Sequence, residues 1–333
     1  MVSKNPLLTV AIPAYNVADF LSEAVWSLSP DKFDNELEVL IVNDGSTDKT
    51  REIAESLAEN FPNVSVVNKR NGGHGSTINT AIELASGKYF KLLDGDDWFE
   101  TAVFKKFMTR LKQEDADLIL CEHVEVFQKT GKRKVTSFYK EFEKNKIFDT
   151  DVVVFREFGV LLPNTTIKTS LLKKAGFRFD ENCYYVDQEY NLICYVEAKT
   201  VAFYDCPIYQ YRLEREGQSM ERSGLVKNVV SHEKVCLRLI REFEKRVEVL
   251  PKNKISYLRE KMIIPLCHLQ YTITINYSRS RSLFLSFDKK LAAYPDFYND
   301  PGIAGTILKL HRKTRGLTVL FDTVLKRLGE KIN

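Results

Sequence analysis

Short apolar runs alternate with amphipathic segments along about the first 120 residues of the chain. The apolar runs are nearly uninterrupted, as in strands that are buried on both faces of a sheet. Predicted strands lie at residues 7–12, 37–42, 64–67, 89–93 and 118–127. Pro13 is expected to end the first of these strands.

The segments between the strands repeat apolar residues at helical spacing. Helices are predicted from about Asp19 to Ser29, from Ser46 or Thr47 onward, over about 76–85 and over about 101–113. Asp19 is the candidate cap of the first helix, and Ser46 or Thr47 of the second. Strands that alternate with helices predict an α/β fold, with a mostly parallel sheet covered by helices on both faces.

Polar segments follow the first four predicted strands. They are Asn16 after the first strand, 43–46 after the second, 71–73 after the third and 94–97 after the fourth. The carboxyl ends of parallel strands meet at one edge of the sheet, where ligands bind in such folds. The sequence therefore predicts one crevice that all four segments line.

The segment Asp94-Gly95-Asp96 suggests a metal site. Two carboxylates around a glycine, which permits a tight turn, can converge on a hard cation such as Mg²⁺ or Mn²⁺. A bound metal would let a diphosphate approach carboxylates that otherwise repel it. An acidic loop with a helix cap is the structural alternative for an isolated motif. The position at the end of a buried strand favours the metal site.

Two further segments have both a functional and a structural interpretation. Asp44 can accept hydrogen bonds from a nucleotide base or ribose, whereas Asp48 is expected to be structural, as a turn residue or helix cap. The turn Asn71-Gly72-Gly73 precedes a helix, and backbone amides at a helix start can hold an anion. It does not match G-x-G-x-x-G, which disfavours dinucleotide binding. His74 beside it is more typical of a loop histidine than of a catalyst.

Together these segments resemble family 2 of the glycosyltransferases, of the bacterial type. The resemblance rests on order and spacing over roughly the first 100 residues, in the motifs Thr9-Val10-Ala11-Ile12-Pro13-Ala14-Tyr15-Asn16, Val42-Asn43-Asp44-Gly45-Ser46-Thr47-Asp48, Asn71-Gly72-Gly73 and Leu92-Leu93-Asp94-Gly95-Asp96-Asp97. The resemblance implies the GT-A fold and an inverting, metal-dependent hexosyltransferase that uses a nucleotide-sugar donor. The donor in this family is most often a UDP-sugar, and the cofactor would be Mn²⁺ or Mg²⁺.

The resemblance also implies roles for individual residues. Pro13, Tyr15 and Asp44 would border the nucleobase, Asp94 the ribose and diphosphate, and Asp96 the metal, with Asp94 as a further candidate ligand. The predicted nucleotide-sugar site also includes Ala14, Asn16, Asn71, Gly72, Gly73 and Gly95.

A catalytic carboxylate is expected before a helix, well after the D-x-D segment. The run Tyr184-Tyr185-Val186-Asp187-Gln188-Glu189-Tyr190 fits this place, and Asp187 aligns with the family's base. Val186 stands where the family usually has a glutamate. Glu189 is the competing candidate, with a helix-start acid favoured by the dipole as its structural interpretation.

Further on, Tyr209-Gln210-Tyr211-Arg212 followed by Gln218-Ser219 resembles the family segment that closes over the diphosphate. By this resemblance Arg212 and Ser219 belong to the nucleotide-sugar site. The Arg212 guanidinium is planar and permanently charged, which suits phosphate. The structural alternative for Arg212 is an ion pair with Glu214 or Glu216.

Composition narrows the class of protein without identifying it. The 333 residues are 44% hydrophobic and 28% charged, so the chain can bury a full core and disorder is not expected. A net charge of +4 gives no reason to expect a nucleic-acid partner, which needs a clustered basic face. Nowhere do about 18 apolar residues follow one another, so no membrane-spanning helix is predicted.

The 6 cysteines are predicted to be reduced thiols of a cytosolic protein. None stands in a C-x-x-C pair, which argues against a zinc site. The apolar run near the N-terminus lacks the length and the cleavage site of a secretion signal.

The predicted organisation is a catalytic domain over 1–225 and a helical C-terminal region over 226–333. Lysines and arginines interleave with apolar residues in the last part of this region, from Pro301 onward. Three uses fit it: acceptor binding, formation of a homo-oligomer, or peripheral contact with an anionic membrane surface at its inner face. A helical appendage with solvated lysines is the structural alternative.

The acceptor stays open among a polysaccharide, a lipid-linked glycan and a glycoprotein. A non-catalytic nucleotide-sugar binding or scaffold protein in a glycan-assembly complex is the alternative function, and the presence of Asp187 weighs against it. A sugar-nucleotide pyrophosphorylase would need a glycine-rich, arginine-containing loop where this chain has Pro13-Ala14-Tyr15-Asn16.

Overall fold

The computed structural model describes residues 5–136, 139, 141–144, 146–155, 159–214 and 221–317. The chain packs as two compact units, Met1–Arg215 and Glu216–Asn333. The functional division after residue 225 stays a prediction. No helix among the described residues is long and apolar enough to cross a membrane.

The first unit is built on a mixed sheet of ten described strands. The strands are β1 Leu8–Ala14, β2 Leu37–Asn43, β3 Val64–Asn68, β4 Tyr89–Leu92, β5 Trp98–Phe99, β6 Leu118–Phe127, β7 Arg133–Thr136, β8 Ile147–Asp149, β9 Thr165–Lys168 and β10 Thr200–Leu213. Their order is β3-β2-β1-β4-β9-β6-β10-β5, with β7 beside β6 and β8 beside β10. β1 runs parallel to β2 and β4, whereas β9 runs antiparallel to β4 and β6.

Helices connect the strands of the first unit. They are α1 Ala18–Ser27, α2 Thr50–Asn60, α3 His74–Leu84, α4 Thr101–Leu111, α5 Thr169–Ala175 and α6 Asp187–Glu197. Every residue of β2 is buried, as a strand covered on both faces requires. The alternation of strands and helices that the apolar pattern predicts is confirmed.

The described part of the second unit is helical, as predicted. Its helices are α7 Arg222–Lys227, α8 Val229–Glu244, α9 Lys252–Tyr257, α10 Ile264–Thr272, α11 Arg281–Leu291, α12 Pro295–Tyr298 and α13 Thr306–Lys313. Two π-helical turns, Leu258–Ile263 and Ile273–Tyr277, follow α9 and α10. The 6 cysteines all lie in described segments, and none forms a disulfide.

The predicted end of the first strand at Pro13 is wrong, because β1 continues to Ala14. Ala11 faces β4, accepting a hydrogen bond from Leu93 N–H, and the ladder between β1 and β4 ends there. The backbone of Pro13 faces the same side as that of Ala11, but β4 no longer pairs with β1 at this position. The strand therefore loses no hydrogen bond because proline lacks an N–H.

The predicted helix caps are also wrong. α1 begins at Ala18 and α2 at Thr50, so neither Asp19 nor Ser46 or Thr47 occupies the cap position. One carboxylate serves both helices instead: Asp48 accepts hydrogen bonds from Ala18 N–H at 3.2 Å and Thr50 N–H at 2.9 Å. The structural role predicted for Asp48 is thereby confirmed.

The described part of the basic segment 129–146 forms a hairpin with β6, because β7 pairs antiparallel with it. Residues 137, 138, 140 and 145 of this segment lie outside the described residues.

Candidate active site

A tight acidic turn follows β4. Leu93 N–H still donates to Ala11 at 2.9 Å, and Asp97 N–H then closes the turn onto the Asp94 carbonyl at 2.9 Å. A Cβ atom at Gly95 would lie 2.9 Å from the Pro13 carbonyl oxygen. Glycine therefore lets the turn pack directly against the end of β1.

Asp97 anchors this turn from below. It is 2% exposed and accepts hydrogen bonds from the Tyr209 hydroxyl at 2.8 Å and from Arg212 N–H at 2.7 Å. The Tyr209 hydroxyl also accepts from Asp94 N–H at 3.2 Å. Burial and the nearby Asp96 and Asp94 raise the pKa of Asp97 well above its ordinary value. β10 thus fixes the turn through the Tyr209 side chain and the Arg212 backbone.

Arg212 braces the same turn from the side. Its Nε donates to the Asp96 carbonyl at 2.7 Å, and its Nη2 bonds to Glu23 at 2.7 Å. The guanidinium carbon lies 4.9 Å from the Phe20 ring centroid and 4.5 Å from that of Trp98. Among the described residues, the ion-pair partner of Arg212 is Glu23 and not Glu214, and Glu216 lies outside the described residues. The predicted contact of Arg212 with phosphate stays a prediction.

Asp44 organises the glycine-rich turn after β3. Its carboxylate accepts hydrogen bonds from Gly72 N–H at 3.0 Å and Gly73 N–H at 2.8 Å, and from Lys69 Nζ at 2.8 Å. The side chain is only 3% exposed. Both of its oxygens therefore hold the protein's own groups, and the predicted contact with the nucleobase stays a prediction.

The end of β1 is tied to the loop after β2. Asn16 has a φ of 53°, and its side chain accepts a 2.8 Å hydrogen bond from Thr47 N–H. Asn16 N–H donates to the Ser46 hydroxyl at 3.1 Å. Tyr15 between these contacts is 50% exposed, as a side chain available to a ligand must be.

The remaining predicted members of the nucleotide-sugar site differ in burial. Ala14, Gly72 and Gly95 are buried, Pro13 and Gly73 are half-buried, and Asn71 is exposed. Ser219 and the neighbouring Gln218 lie outside the described residues.

Asp187 is the first residue of α6 and is half-buried. Two non-glycine residues with positive φ precede it, Asn182 at 51° and Tyr185 at 67°. Such backbone is rare for a bulky residue and is often found at functional sites. The Asp187 carboxylate accepts a 2.8 Å hydrogen bond from Gln188 Nε2.

The competing candidate, Glu189, lies in the first turn of the same helix and is 1% exposed. Its carboxylate accepts a 3.1 Å hydrogen bond from Asp180 N–H. Glu189 therefore supports the loop before α6, whereas the half-buried Asp187 is the better placed of the two to meet a substrate.

Asp94, Asp187 and His74 come together although they belong to three separate segments. His74 Nε2 lies 3.4 Å from Asp94 Oδ1. Burial raises the pKa of Asp94, the His74 imidazole lowers it, and the carboxylates of Asp96 and Asp187 raise it further. Burial also raises the pKa of Asp187, and His74 lowers it. The site thus brings several carboxylates together where they are partly shielded from water.

This acidic cluster fits a divalent cation that has few protein ligands. Among the described residues, no group of three or more His, Cys, Asp or Glu side chains is arranged to hold a metal. Mg²⁺ commonly takes one or two carboxylates and completes its shell with substrate phosphates and water. The carboxylates of this cluster repel one another and so raise one another's pKa. A bound cation would relieve this repulsion.

The arrangement is that of a glycosyltransferase with the GT-A fold, in which acidic groups and a carboxylate at a helix start share the carboxyl edge of the sheet. The chain belongs to glycosyl transferase family 2, whose family model matches residues 9–178. It is 29% identical over 215 residues to the uncharacterized glycosyltransferase EpsJ of Bacillus subtilis. That alignment covers 62% of this chain and 61% of the relative, so it spans less than two thirds of that protein's length.

Solved structures show the same fold. TarS 1–349 of S. aureus in complex with UDP is similar with a TM-score of 0.67 and 18% identity, over 94% of this chain and 89% of that one. The mannosyltransferase PcManGT of Pyrobaculum calidifontis, in complex with GDP-Man and Mn²⁺, is similar with a TM-score of 0.50 and 16% identity. That similarity covers 96% of this chain and 90% of the mannosyltransferase.

Proposed function

We propose that the protein transfers a hexose from a UDP-sugar to a hydroxyl of a glycan or glycoconjugate acceptor, with inversion at the anomeric carbon. The observation that carries this proposal is the approach of Asp187 to the acidic turn after β4. The electrostatic influence of Asp187 on Asp94 supports this proposal, since it shows that the two carboxylates lie near each other.

Asp187 is proposed to remove the proton from the acceptor hydroxyl. That oxygen then attacks the anomeric carbon from the face opposite the leaving diphosphate, and the bond from this carbon to the diphosphate oxygen breaks. Burial makes Asp187 a stronger base than an exposed carboxylate, because it raises the pKa. Gln188 holds the carboxylate from the side through its 2.8 Å hydrogen bond.

Asp96, with Asp94 as a second candidate, is proposed to hold Mn²⁺ or Mg²⁺. Such an ion, when bound, supplies positive charge that offsets the charge of the diphosphate. Arg212, Tyr209 and the buried Asp97 keep the turn in place from beneath, so that the two candidate ligands need not reorganise when the donor binds.

The nucleotide is proposed to be uridine diphosphate. The UDP complex of the structurally similar TarS supports this choice, and the GDP-Man complex of PcManGT makes GDP the comparison to test. A glycan, lipid-linked or glycoprotein acceptor, a homo-oligomer, a cytoplasmic location and peripheral membrane contact stay predictions from the sequence. A non-catalytic nucleotide-sugar binding protein is disfavoured, since it has no need of the strained turn that positions Asp187.

The test measures UDP release from UDP-glucose, UDP-N-acetylglucosamine and UDP-galactose with Mn²⁺ and a mixed pool of oligosaccharide and glycolipid acceptors. Asp187→Asn should lower the rate of release by about 10²- to 10⁴-fold, while the Kd for UDP stays as in the wild type. The matched control is Asp205→Asn, at an exposed position of β10. Normal turnover in Asp187→Asn, together with its loss in a folded Glu189→Gln variant, would move the base to Glu189.

A further inference from the structure

The His74 side chain lies beside both acidic parts of the site. Its Nε2 is 3.4 Å from Asp94 Oδ1, and its charge influences Asp94 and Asp187 alike. Nε2 is buried and forms no hydrogen bond within the described part of the chain. A buried ring nitrogen without a hydrogen bond destabilises the protein, so its presence needs an explanation.

The backbone around His74 is held from two sides. Asp44 binds the amides of Gly72 and Gly73, and the Gly72 carbonyl accepts a 2.6 Å hydrogen bond from Asn182 N–H. A Cβ atom at Gly75 would lie only 2.1 Å from the Asp180 carbonyl oxygen. The turn is thus packed between the loop after β2 and the segment that leads to Asp187. The backbone position of His74 is therefore fixed, whereas its side chain is 31% exposed.

The position of His74 matters because of what must lie between Asp94 and Asp187. Under the proposed function, on which this inference rests, the diphosphate is bound near Asp94 and Asp96, and the acceptor hydroxyl is bound at Asp187. Inverting displacement requires the anomeric carbon between these two groups. The hexose ring is therefore the part of the donor that comes closest to His74, whereas the uridine lies near the ends of β1 and β2.

We propose that His74 binds the hexose of the donor, with Nε2 donating a hydrogen bond to a sugar hydroxyl that in turn donates to Asp94. One hydroxyl can make both bonds, because it accepts from the ring nitrogen and donates to the carboxylate. His74 then selects the hexose and places its ring for attack, while it contributes nothing to the binding of the nucleotide alone.

The experiment compares dissociation constants of UDP, UDP-glucose and UDP-N-acetylglucosamine, each with Mn²⁺, for the wild type and His74→Ala by titration calorimetry. His74→Ala should raise the Kd of at least one UDP-hexose by about 3- to 10-fold, the loss of one ordinary hydrogen bond, and leave the Kd of UDP unchanged. His268→Ala, at an exposed histidine of α10, is the matched control and should change neither constant.

The outcomes separate this inference from the proposed function. If the wild type binds none of the three compounds, both are overturned. If the wild type binds them, and His74→Ala loses UDP as much as the UDP-hexoses or loses neither, only the role of His74 is overturned. His74→Leu, which keeps more of the side-chain volume and has no hydrogen-bond donor, provides the same comparison should the alanine variant fail to fold.

Discussion

The Tyr209 hydroxyl donates a 2.8 Å hydrogen bond to the buried Asp97 carboxylate and accepts a 3.2 Å bond from Asp94 N–H. A residue of β10 thereby fixes the turn that carries the candidate ligands of the donor and metal. Lys91 Nζ lies 5.8 Å from the centroid of the Tyr209 ring. The geometry of the site therefore depends on a buried hydrogen bond between two residues that are 112 positions apart in the sequence.

Removal of this hydroxyl should weaken both the fold and the site. Tyr209→Phe leaves the buried Asp97 without one of its donors, so the free energy of unfolding should fall by about 1–3 kcal/mol. Urea titration measures this change. Tyr294→Phe in the second unit removes one phenol hydroxyl elsewhere and should leave the first unit's stability as in the wild type. Equal stability of Tyr209→Phe and the wild type would contradict the anchoring role of Tyr209.

Arg212 and Glu23 should contribute unequally although they form one ion pair. The Arg212 side chain is 10% exposed and lies against two aromatic rings, whereas that of Glu23 is 52% exposed. Arg212→Ala should lower the free energy of unfolding by at least about 2 kcal/mol, because it loses the stacking and the hydrogen bond from Nε to the Asp96 carbonyl. Glu23→Ala should cost less than about 1 kcal/mol, since an exposed pair is screened by solvent. Chemical denaturation of both variants measures the difference, and similar losses would show that the ion pair dominates.

Gly75 should tolerate no side chain. The Cβ atom of Gly75→Ala would meet the Asp180 carbonyl oxygen at 2.1 Å, so the backbone must move. Overpacking of this kind destabilises by about 1–3 kcal/mol. It should also weaken UDP-sugar binding, because it displaces the segment before Asp187. Gly305→Ala is the control, since nothing lies within 4 Å of the added atom. Thermal unfolding of both variants tests the difference, and an unaffected Gly75→Ala midpoint would contradict the close approach.

The second unit should lose stability in mild acid because of His232. Burial lowers the pKa of His232 from 6.5 to about 4, and its Nδ1 lies 2.8 Å from Gln270 Oε1. The pKa of His232 is lower in the folded than in the unfolded state. The stabilisation by the neutral side chain is therefore complete above about pH 6.5 and is lost as the pH falls towards 4. It amounts to about 3 kcal/mol at most. Urea midpoints of the wild type and His232→Gln across this range should converge at low pH, and parallel curves would refute the assignment.

The local pattern predicted β1 to β4, β6 and α1 to α4, but neither the two-residue strand β5 nor the tertiary contacts of these elements. The apolar period marked the strands around Val10 and Ile41, because burial on both faces leaves a direct trace in the sequence. The start of α1 was placed wrongly because its capping carboxylate, Asp48, lies 30 residues away. No local signal reports a partner at that distance.

The same limit applies to the site. Asp94, Asp96 and Asp187 could be selected from motifs, since each stands at a predictable strand end or helix start. Arg212 was selected by the resemblance of its segment to the family and for its charge, but its contact with Glu23, 189 residues away, follows only from the folded sheet. His74 had been assigned to a loop, and only the fold shows that its ring lies beside Asp94.

The most direct test of the account is UDP binding by thermal unfolding, with Mn²⁺ and with a chelator, for the wild type and Asp96→Asn. A ligand at 100 times its Kd adds about 2.7 kcal/mol, which should raise the midpoint of the first unit by roughly 5–10 °C. The account predicts this rise for the wild type with UDP and Mn²⁺, its loss with chelator, and a much smaller rise for Asp96→Asn. An equal rise with and without metal in both proteins would contradict the metal site, and no rise with UDP would contradict the donor site.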